Sequence, residues 1–263
     1  MKKQGLLALN SVLVFLGLLG LWQALVSLNH LPPYILPGPF LVARALHDRF
    51  PSLLNSLLIT TEEAAGGLAA SIVVGVAAAM VFAQWRWLRI MLYPYTILLQ
   101  TVPIVAITPL IINWVSAGIL AVTLVTFIIC LAPIIANTTQ GLISVDENLI
   151  HLFLMHKATP AQILFKLRLP NSLPNLFAGI RISAGISVAG GIIGELFAGS
   201  PRVGEGGLGY AITYANNQME TAYLFALVFA ATVLGFSFFF IVMFLEWLAL
   251  HNWHESSLPP VGE

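Results

Sequence analysis

Charge is what this 263-residue chain has least of: Asp, Glu, Lys and Arg together make up 8% of it. A soluble domain carries roughly 25%, so a water-solvated globule is excluded. The 11 basic and 11 acidic side chains cancel, which removes the positive field that would hold nucleic acid. A single cysteine, Cys130, excludes an internal disulfide framework and a multi-cysteine zinc site. No G-x-x-x-x-G-K-S/T run occurs. The chain therefore has no phosphate-binding loop of its own, and any ATP it uses is bound by another subunit. What is present instead is apolar: 59% hydrophobic residues and a mean hydropathy of +0.92. That composition also excludes disorder and leaves an all-α polytopic membrane protein.

A helix needs about 20 apolar residues to cross the hydrocarbon layer. Leu6–Leu28 is 23 residues without a charge, too long for a signal peptide and lacking its small-residue cleavage site. A second span covers about 56–83, and its helix can begin as early as Pro51, since proline suits a first turn. Ile90–Val145 holds 56 residues without Asp, Glu, Lys, Arg or His, about two spans. The small and polar run Asn113–Gly118 divides it into 90–112 and 119–139. Spans at 176–198 and 221–245 complete a set of about six in one domain, 1–263. Lipid offers no partner to an open sheet edge, so these runs are helices. With the N-terminus inside, eight Lys and Arg face the cytoplasm and three face outside. This predicts cytoplasmic termini and a cytoplasmic loop over about 141–175.

Few residues suggest chemistry. Gly204, Gly206 and Gly209 fit G-x-G-x-x-G, but a dinucleotide site needs that motif inside a βαβ unit, so a flexible extramembrane turn is the reading. The six histidines do not group as metal ligands, and no catalytic pairing is visible. Cys130, among apolar neighbours, reads as packing. Three acids matter more. Glu195 lies inside the fifth span, and Glu62 and Glu63 sit near the outer part of the second. A charge facing lipid costs at least ~2.5–3.5 kcal/mol. Each acid therefore faces protein, water or the interface, as a structural hydrogen bond or as lining of a translocation pathway. Glu62 and Glu63 are adjacent, point about 100° apart and cannot form one dyad with each other. Gly179, Ser183, Ser187 and Gly191 recur every four residues on span five, and Gly67, Ser71 and Gly75 on span two. Such stripes let helix backbones approach closely in lipid. Pro94, Pro103, Pro109 and Pro133 can kink or loosen spans three and four.

The loop from His151 to Pro170 reads as a helix, a break at Thr159-Pro160, and a short helix around Ala161–Leu167. Leu164, Leu167 and the Ile163/Phe165 pair supply an apolar side beside Lys166 and Arg168. Such a knob, flanked by hinges, suits a groove on a soluble partner or a membrane surface.

Taken in order, several segments resemble the permease subunits of bacterial binding-protein-dependent ABC importers of type I, in the nitrate/sulfonate/taurine/bicarbonate branch. They are Leu36-Pro-Gly-Pro39, Thr101-Val-Pro-Ile-Val-Ala-Ile-Thr-Pro-Leu110, Lys166-Leu-Arg-Leu-Pro170, Leu173-Pro174, Ala178-Gly-Ile-Arg-Ile182, Gly194-Glu-Leu196 and Gly206-Gly-Leu-Gly-Tyr210. In the family's loop motif His151 stands where Glu is usual, Leu152 and Phe153 where two Ala are usual, and Lys157 where Gly is usual. The branch often has Arg where this chain has Glu62 and Glu63. The resemblance implies a transport subunit of the bacterial inner membrane that binds no cofactor itself. It implies Mg-ATP on a dimeric partner ATPase, a second permease copy or paralogue, an extracytoplasmic substrate-binding protein and surrounding lipid. It also implies coupling to the ATPase through His151, Lys157, Thr159, Pro160, Ala161, Leu164, Lys166, Arg168 and Pro170. The competing reading is a carrier driven by an ion gradient through the intramembrane acids.

Overall fold

A computed structural model describes residues 2–198 and 206–251. Within them the secondary structure is helical. The first helix, α1, runs Lys2–Leu28, and a short α2, Pro39–Asp48, follows with proline at its first position. The 35-residue α3 spans Phe50–Gln84. Next come α4 (Arg86–Thr101), α5 (Ile104–Val115) and α6 (Ile119–Ile143). The loop region contains α7 (Glu147–Met155) and α8 (Pro160–Ile163). A π-helical turn at Leu164–Arg168 joins α8 to α9, Leu169–Ala198. Finally α10 covers Leu208–Asn217 and α11 covers Thr221–Leu250.

Among the described residues, four helical stretches are long and apolar enough to cross a membrane unbroken: Phe50–Gln84, Ile119–Ile143, Pro160–Ala198 and Thr221–Leu250. The α4–α5 pair qualifies only as a bent unit. Counting that unit as one span gives up to five crossings among the described residues, with Leu16–Leu28 of α1 a shorter apolar stretch, which is the polytopic helical fold expected and roughly its helix count.

The 90–112 span needs correcting. It is two helices, bent by 100°. Proline disfavours the helical region for the residue before it, and Val102 is extended at φ −71°, ψ 123°. Pro103 then caps α5. The other prolines of this region, Pro94, Pro109 and Pro133, are accommodated inside their helices. In α6, Asn137 Nδ2 donates to the Pro133 carbonyl at 2.8 Å.

The centre of the molecule is α6, packed most extensively against α9 and α3. Small residues make this possible. A Cβ at Gly67 would lie 2.5 Å from Thr126 Cβ, and one at Gly75 would lie 2.7 Å from Ile134 Cγ2. On α9, a Cβ at Gly179 would meet the Pro133 carbonyl at 3.0 Å, and one at Gly194 would lie 3.1 Å from Val122 Cα. Close backbones also exchange hydrogen bonds. Ser183 Oγ donates to the Cys130 carbonyl at 2.9 Å, and Cys130 Sγ to the Ser183 carbonyl at 3.4 Å. Ser71 Oγ reaches the Phe127 carbonyl at 2.8 Å. The structure buries Gly179, Ser183, Ser187 and Gly191, the last against Thr60 of α3.

Ion pairs tie α11 at both ends. Arg181 Nη2 meets Glu246 Oε1 at 2.8 Å. Arg49 makes two 2.5 Å contacts to Glu220 and lies over the Tyr223 ring, 4.9 Å from its centroid. The pair is partly exposed, so it contributes only about 0.2–1 kcal/mol. Much of α11 faces away from the rest of the chain, leaving Phe229, Phe236, Phe240, Phe244 and Trp247 exposed. In a membrane that face meets lipid or another subunit.

Candidate functional site

Two constellations lie at opposite ends of α9: the loop before it and the carboxylate near its far end. The loop is a built object. Asp146 caps α7 through the Asn148 N–H at 2.8 Å. At the other end of α7, the Lys157 N–H bonds to the Leu154 carbonyl at 2.9 Å and the Ala158 N–H to the Phe153 carbonyl at 3.0 Å. That pair of bonds is the Schellman closure. It requires a left-handed residue, and Lys157 has φ 55°. Thr159 and Gln162 then form a capping box at the start of α8, at 3.3 and 2.8 Å. It satisfies two N–H groups that a helix start leaves free.

This knob is fastened to the membrane helices. Arg168 Nη1 donates to the Ala83 carbonyl at 2.6 Å, closing the C-terminal end of α3, and Gln84 Nε2 reaches the Pro160 carbonyl at 3.3 Å. Beneath it, Leu164 packs with Ala79, Ala83 and Leu142. A Cβ at Gly141 would meet Asn175 Cβ at 2.7 Å, so the end of α6 lies against the start of α9.

Three expectations about the loop are corrected here. Leu164 is 6% exposed; it belongs to the chain's own core and offers no face to a partner. Arg168 is engaged with α3, so its charge is not presented as part of a docking face. The second flank of the knob is no hinge, because a π-helical turn carries α8 straight into α9, with Pro170 in the first turn of α9. Proline is tolerated inside this continuous helix because the π-helical turn just before it adjusts the local hydrogen-bond ladder. The exposed surface of the knob comes from other residues: His151, Leu152, Leu154, Met155, Lys157 and Phe165, beside Thr159, Pro160, Ala161 and Lys166. A groove of about 350 Å³ runs between α7 and α8, lined by Leu152, Phe153, His156, Ala158, Gln162 and Lys166.

At the other end, Glu195 is 3% exposed. Its Oε1 accepts from Thr60 Oγ1 at 2.6 Å and its Oε2 from the Gly209 N–H at 2.5 Å, with the Tyr210 N–H adjacent. Thr60 Oγ1 in turn accepts from the Leu208 N–H at 2.8 Å, and Ser56 Oγ donates to the Gly206 carbonyl at 2.9 Å. These contacts place a carboxylate of α9 and a hydroxyl of α3 on the first N–H groups of α10. A helix start binds an anion through its free N–H groups and positive dipole end.

The glycine run, read as a flexible turn, is corrected by the same contacts. Gly204 lies outside the described residues, but Gly206, Gly207, Leu208 and Gly209 are buried. A side chain at Gly207 would collide with the Glu195 carboxylate, and a Cβ at Gly209 would lie 2.5 Å from the Ile192 carbonyl. The glycines permit close approach rather than motion.

Of the adjacent acids, Glu62 is exposed, whereas Glu63 is 5% exposed. The Glu63 carboxyl stands within hydrogen-bonding reach of Glu195, and its Oε2 has no hydrogen-bond partner. The pairing of acids is thus between helices, across 132 positions of sequence, and no spacing rule could have revealed it. Among the described residues no set of His, Cys, Asp and Glu could hold a metal.

The family described as the binding-protein-dependent transport system inner membrane component matches residues 71–247, more than half of the chain. The chain belongs to that family. This permease is 32% identical to a riboflavin transport system permease protein of Chloroflexus aurantiacus over 251 residues, covering 95% of the chain and 91% of the relative. It is 29% identical to a formylaminopyrimidine transport permease protein of Halalkalibacterium halodurans, covering 93% and 96%. It is 25% identical to a nitrate import permease protein of Synechocystis, covering 82% and 80%. The permease is therefore a membrane-embedded, multi-pass transport component of the ABC importer type, a class that works with an ATPase and a substrate-binding protein in general. The relatives are transport components rather than enzymes.

Proposed function

We propose that this permease forms half of a paired translocation pathway and takes its driving force from a dimeric ATPase docked on the α7–α8 knob. The second half is another copy or a paralogue. The single observation that supports this most is the mechanical continuity of the knob with α9. From Pro160 to Ala198 the helix runs unbroken for 39 residues, about 58 Å at 1.5 Å per residue, well beyond the ~30 Å hydrocarbon core. A push on the exposed Leu152, Leu154, Met155 and Phe165 reaches the far end of the lever, where Glu195 grips α10. ATP, held with Mg by the partner and not by this chain, would favour one arrangement of the paired helices and its hydrolysis the other, as differential binding to two states requires. The knob then lies in the cytoplasm with both termini, and α10 toward the side from which a binding protein delivers solute.

For substrate, the names of two relatives covering more than nine-tenths of the chain favour a small heteroaromatic solute over an inorganic anion such as nitrate. In this reading Glu195 is a positioning residue and Glu62 and Glu63 flank the outer part of the pathway. A carrier driven by an ion gradient is not favoured, since the family and the relatives are binding-protein-dependent transport permeases.

The test is reconstitution of the permease with its ATPase and binding protein in liposomes. Uptake of a heteroaromatic probe such as riboflavin is expected to require ATP and all components. Uphill accumulation by the permease alone, on a pH or sodium gradient, would overturn the proposal.

A further inference from the structure

At the knob-bearing end of the helices lies a cavity of about 280 Å³ between α4 and α6, lined by Arg89, Ile90, Tyr93, Pro94, Thr139, Gln140 and Ile143. A water occupies about 30 Å³, so the space suits something larger. Its chemistry is unbalanced. Arg89 is close enough to Arg168 for their charges to repel, yet among the described residues neither forms an ion pair with a carboxylate. Thr139, on the cavity wall, is 1% exposed and its hydroxyl has no hydrogen-bond partner. Gln140 adds an exposed amide. Tyr93 is held edge-on against Phe82, 6.5 Å between ring centroids, which fixes that wall. One cation without a carboxylate partner, Arg89, and an unpartnered buried hydroxyl on the wall of one space fit an anion with several acceptor oxygens.

The setting selects the source of that anion. Trp85 and Trp87 are exposed just before the cavity, and Ile90 and Met91 are exposed beside it. Exposed tryptophans mark the headgroup level of a bilayer, and exposed aliphatic residues one turn deeper meet acyl chains. We infer that the cavity between α4 and α6 binds the phosphate of an anionic phospholipid, with Arg89 as the pairing cation and Thr139, Gln140 and Tyr93 as neutral contacts. Basic pockets between membrane helices hold lipid headgroups in this way. The site fastens α4 to α6 at the end where the knob is attached. It rests on the proposed orientation only for the leaflet from which the lipid is drawn.

The test is native mass spectrometry of the complete importer, purified into detergent and titrated with phosphatidylglycerol, phosphatidylcholine or inorganic phosphate. Wild type is expected to retain phosphatidylglycerol in preference to phosphatidylcholine. Arg89→Gln is expected to weaken retention about five-fold, the loss of one cation at an anionic headgroup. Arg89→Lys is expected to restore most of it, and Arg44→Gln, on the distant α2, to leave it unchanged. If Arg89→Gln fails to assemble, Thr139→Val, which removes only the hydroxyl, serves in its place and is expected to lower retention. Equal retention by wild type and variant overturns the inference. So does protection by inorganic phosphate equal to that by the lipid, which assigns the site to a free anion. Lipid counting needs no ATP turnover, so a failure of the coupling proposal leaves this result readable.

Discussion

A buried carboxylate with every oxygen engaged differs from one awaiting a substrate, and Glu195 is of the first kind. Glu195→Ala leaves the Gly209 N–H without its acceptor and the Thr60 hydroxyl with only the Ser56 carbonyl, 3.2 Å away, and a buried group stranded like that N–H costs about 1–3 kcal/mol. A lower thermal-unfolding midpoint in detergent is expected, with Glu195→Gln recovering part because it keeps one carbonyl oxygen. Full stability with abolished transport would instead assign Glu195 to the pathway. Lys157 is the opposite case, a residue at odds with its backbone. Its φ of 55° is the left-handed conformation, which costs a residue with a Cβ roughly 1–2 kcal/mol and glycine little. Lys157→Gly is therefore expected to stabilise the knob by about 1 kcal/mol, read as slower amide exchange over 151–163. The usual glycine of the family motif at this position has a conformational reason, and the Schellman bonds around Lys157 show that the turn survives without it.

Helix contacts here are governed by the absence of side chains, and the glycines are not equivalent. A Cβ at Gly194 would lie 2.9 Å from Val122 Cγ1 and 3.1 Å from its Cα, whereas one at Gly185 meets nothing within 4 Å. Gly194→Val is expected to separate α9 from α6 at a cost of about 1–3 kcal/mol. Gly185→Ala is expected to be neutral or slightly stabilising, since alanine is favoured by roughly 0.5–1 kcal/mol inside a helix. Chemical denaturation of the two variants in one detergent checks the contrast. Small-residue spacing along α3 and α9 is legible in the sequence, because helical period alone puts such residues on one face. Long apolar runs were equally legible, since length and hydropathy are local properties. The break at Val102-Pro103 was not: Pro103 was evident, but it was one of four prolines in the region, and the other three lie within helices. The burial of the glycines around Leu208 is hidden from the sequence for a related reason. Their partners, Thr60 and Ser56, lie about 150 residues away, and a local reading of glycine sees freedom where the fold imposes close contact.

Across the whole molecule, the knob runs into α9, whose far end holds α10 through Glu195, and the knob has two apolar sides in different surroundings. Leu164 packs inward on Ala79, Ala83 and Leu142, while Phe165, one residue on, is 58% exposed. In the proposed function these adjacent positions separate folding from coupling. Leu164→Asp buries a charge without a partner, so the knob is expected to loosen from α3 and the yield of folded permease to fall. Phe165→Asp changes a side chain the isolated permease does not need, so its unfolding midpoint is expected to stay within the ±0.5 kcal/mol usual for surface changes. The same substitution would place a charge at the surface proposed to receive the ATPase, where an apolar anchor contributes on the order of 2 kcal/mol or more. ATP-dependent uptake in liposomes is therefore expected to drop at least ten-fold for Phe165→Asp, with binding of the ATPase weakened in parallel. Wild-type uptake by Phe165→Asp would remove Phe165 from the contact. Loss of folding in Phe165→Asp would mean that this face, like that of Leu164, is spent inside the permease and that the ATPase is met by α7 alone.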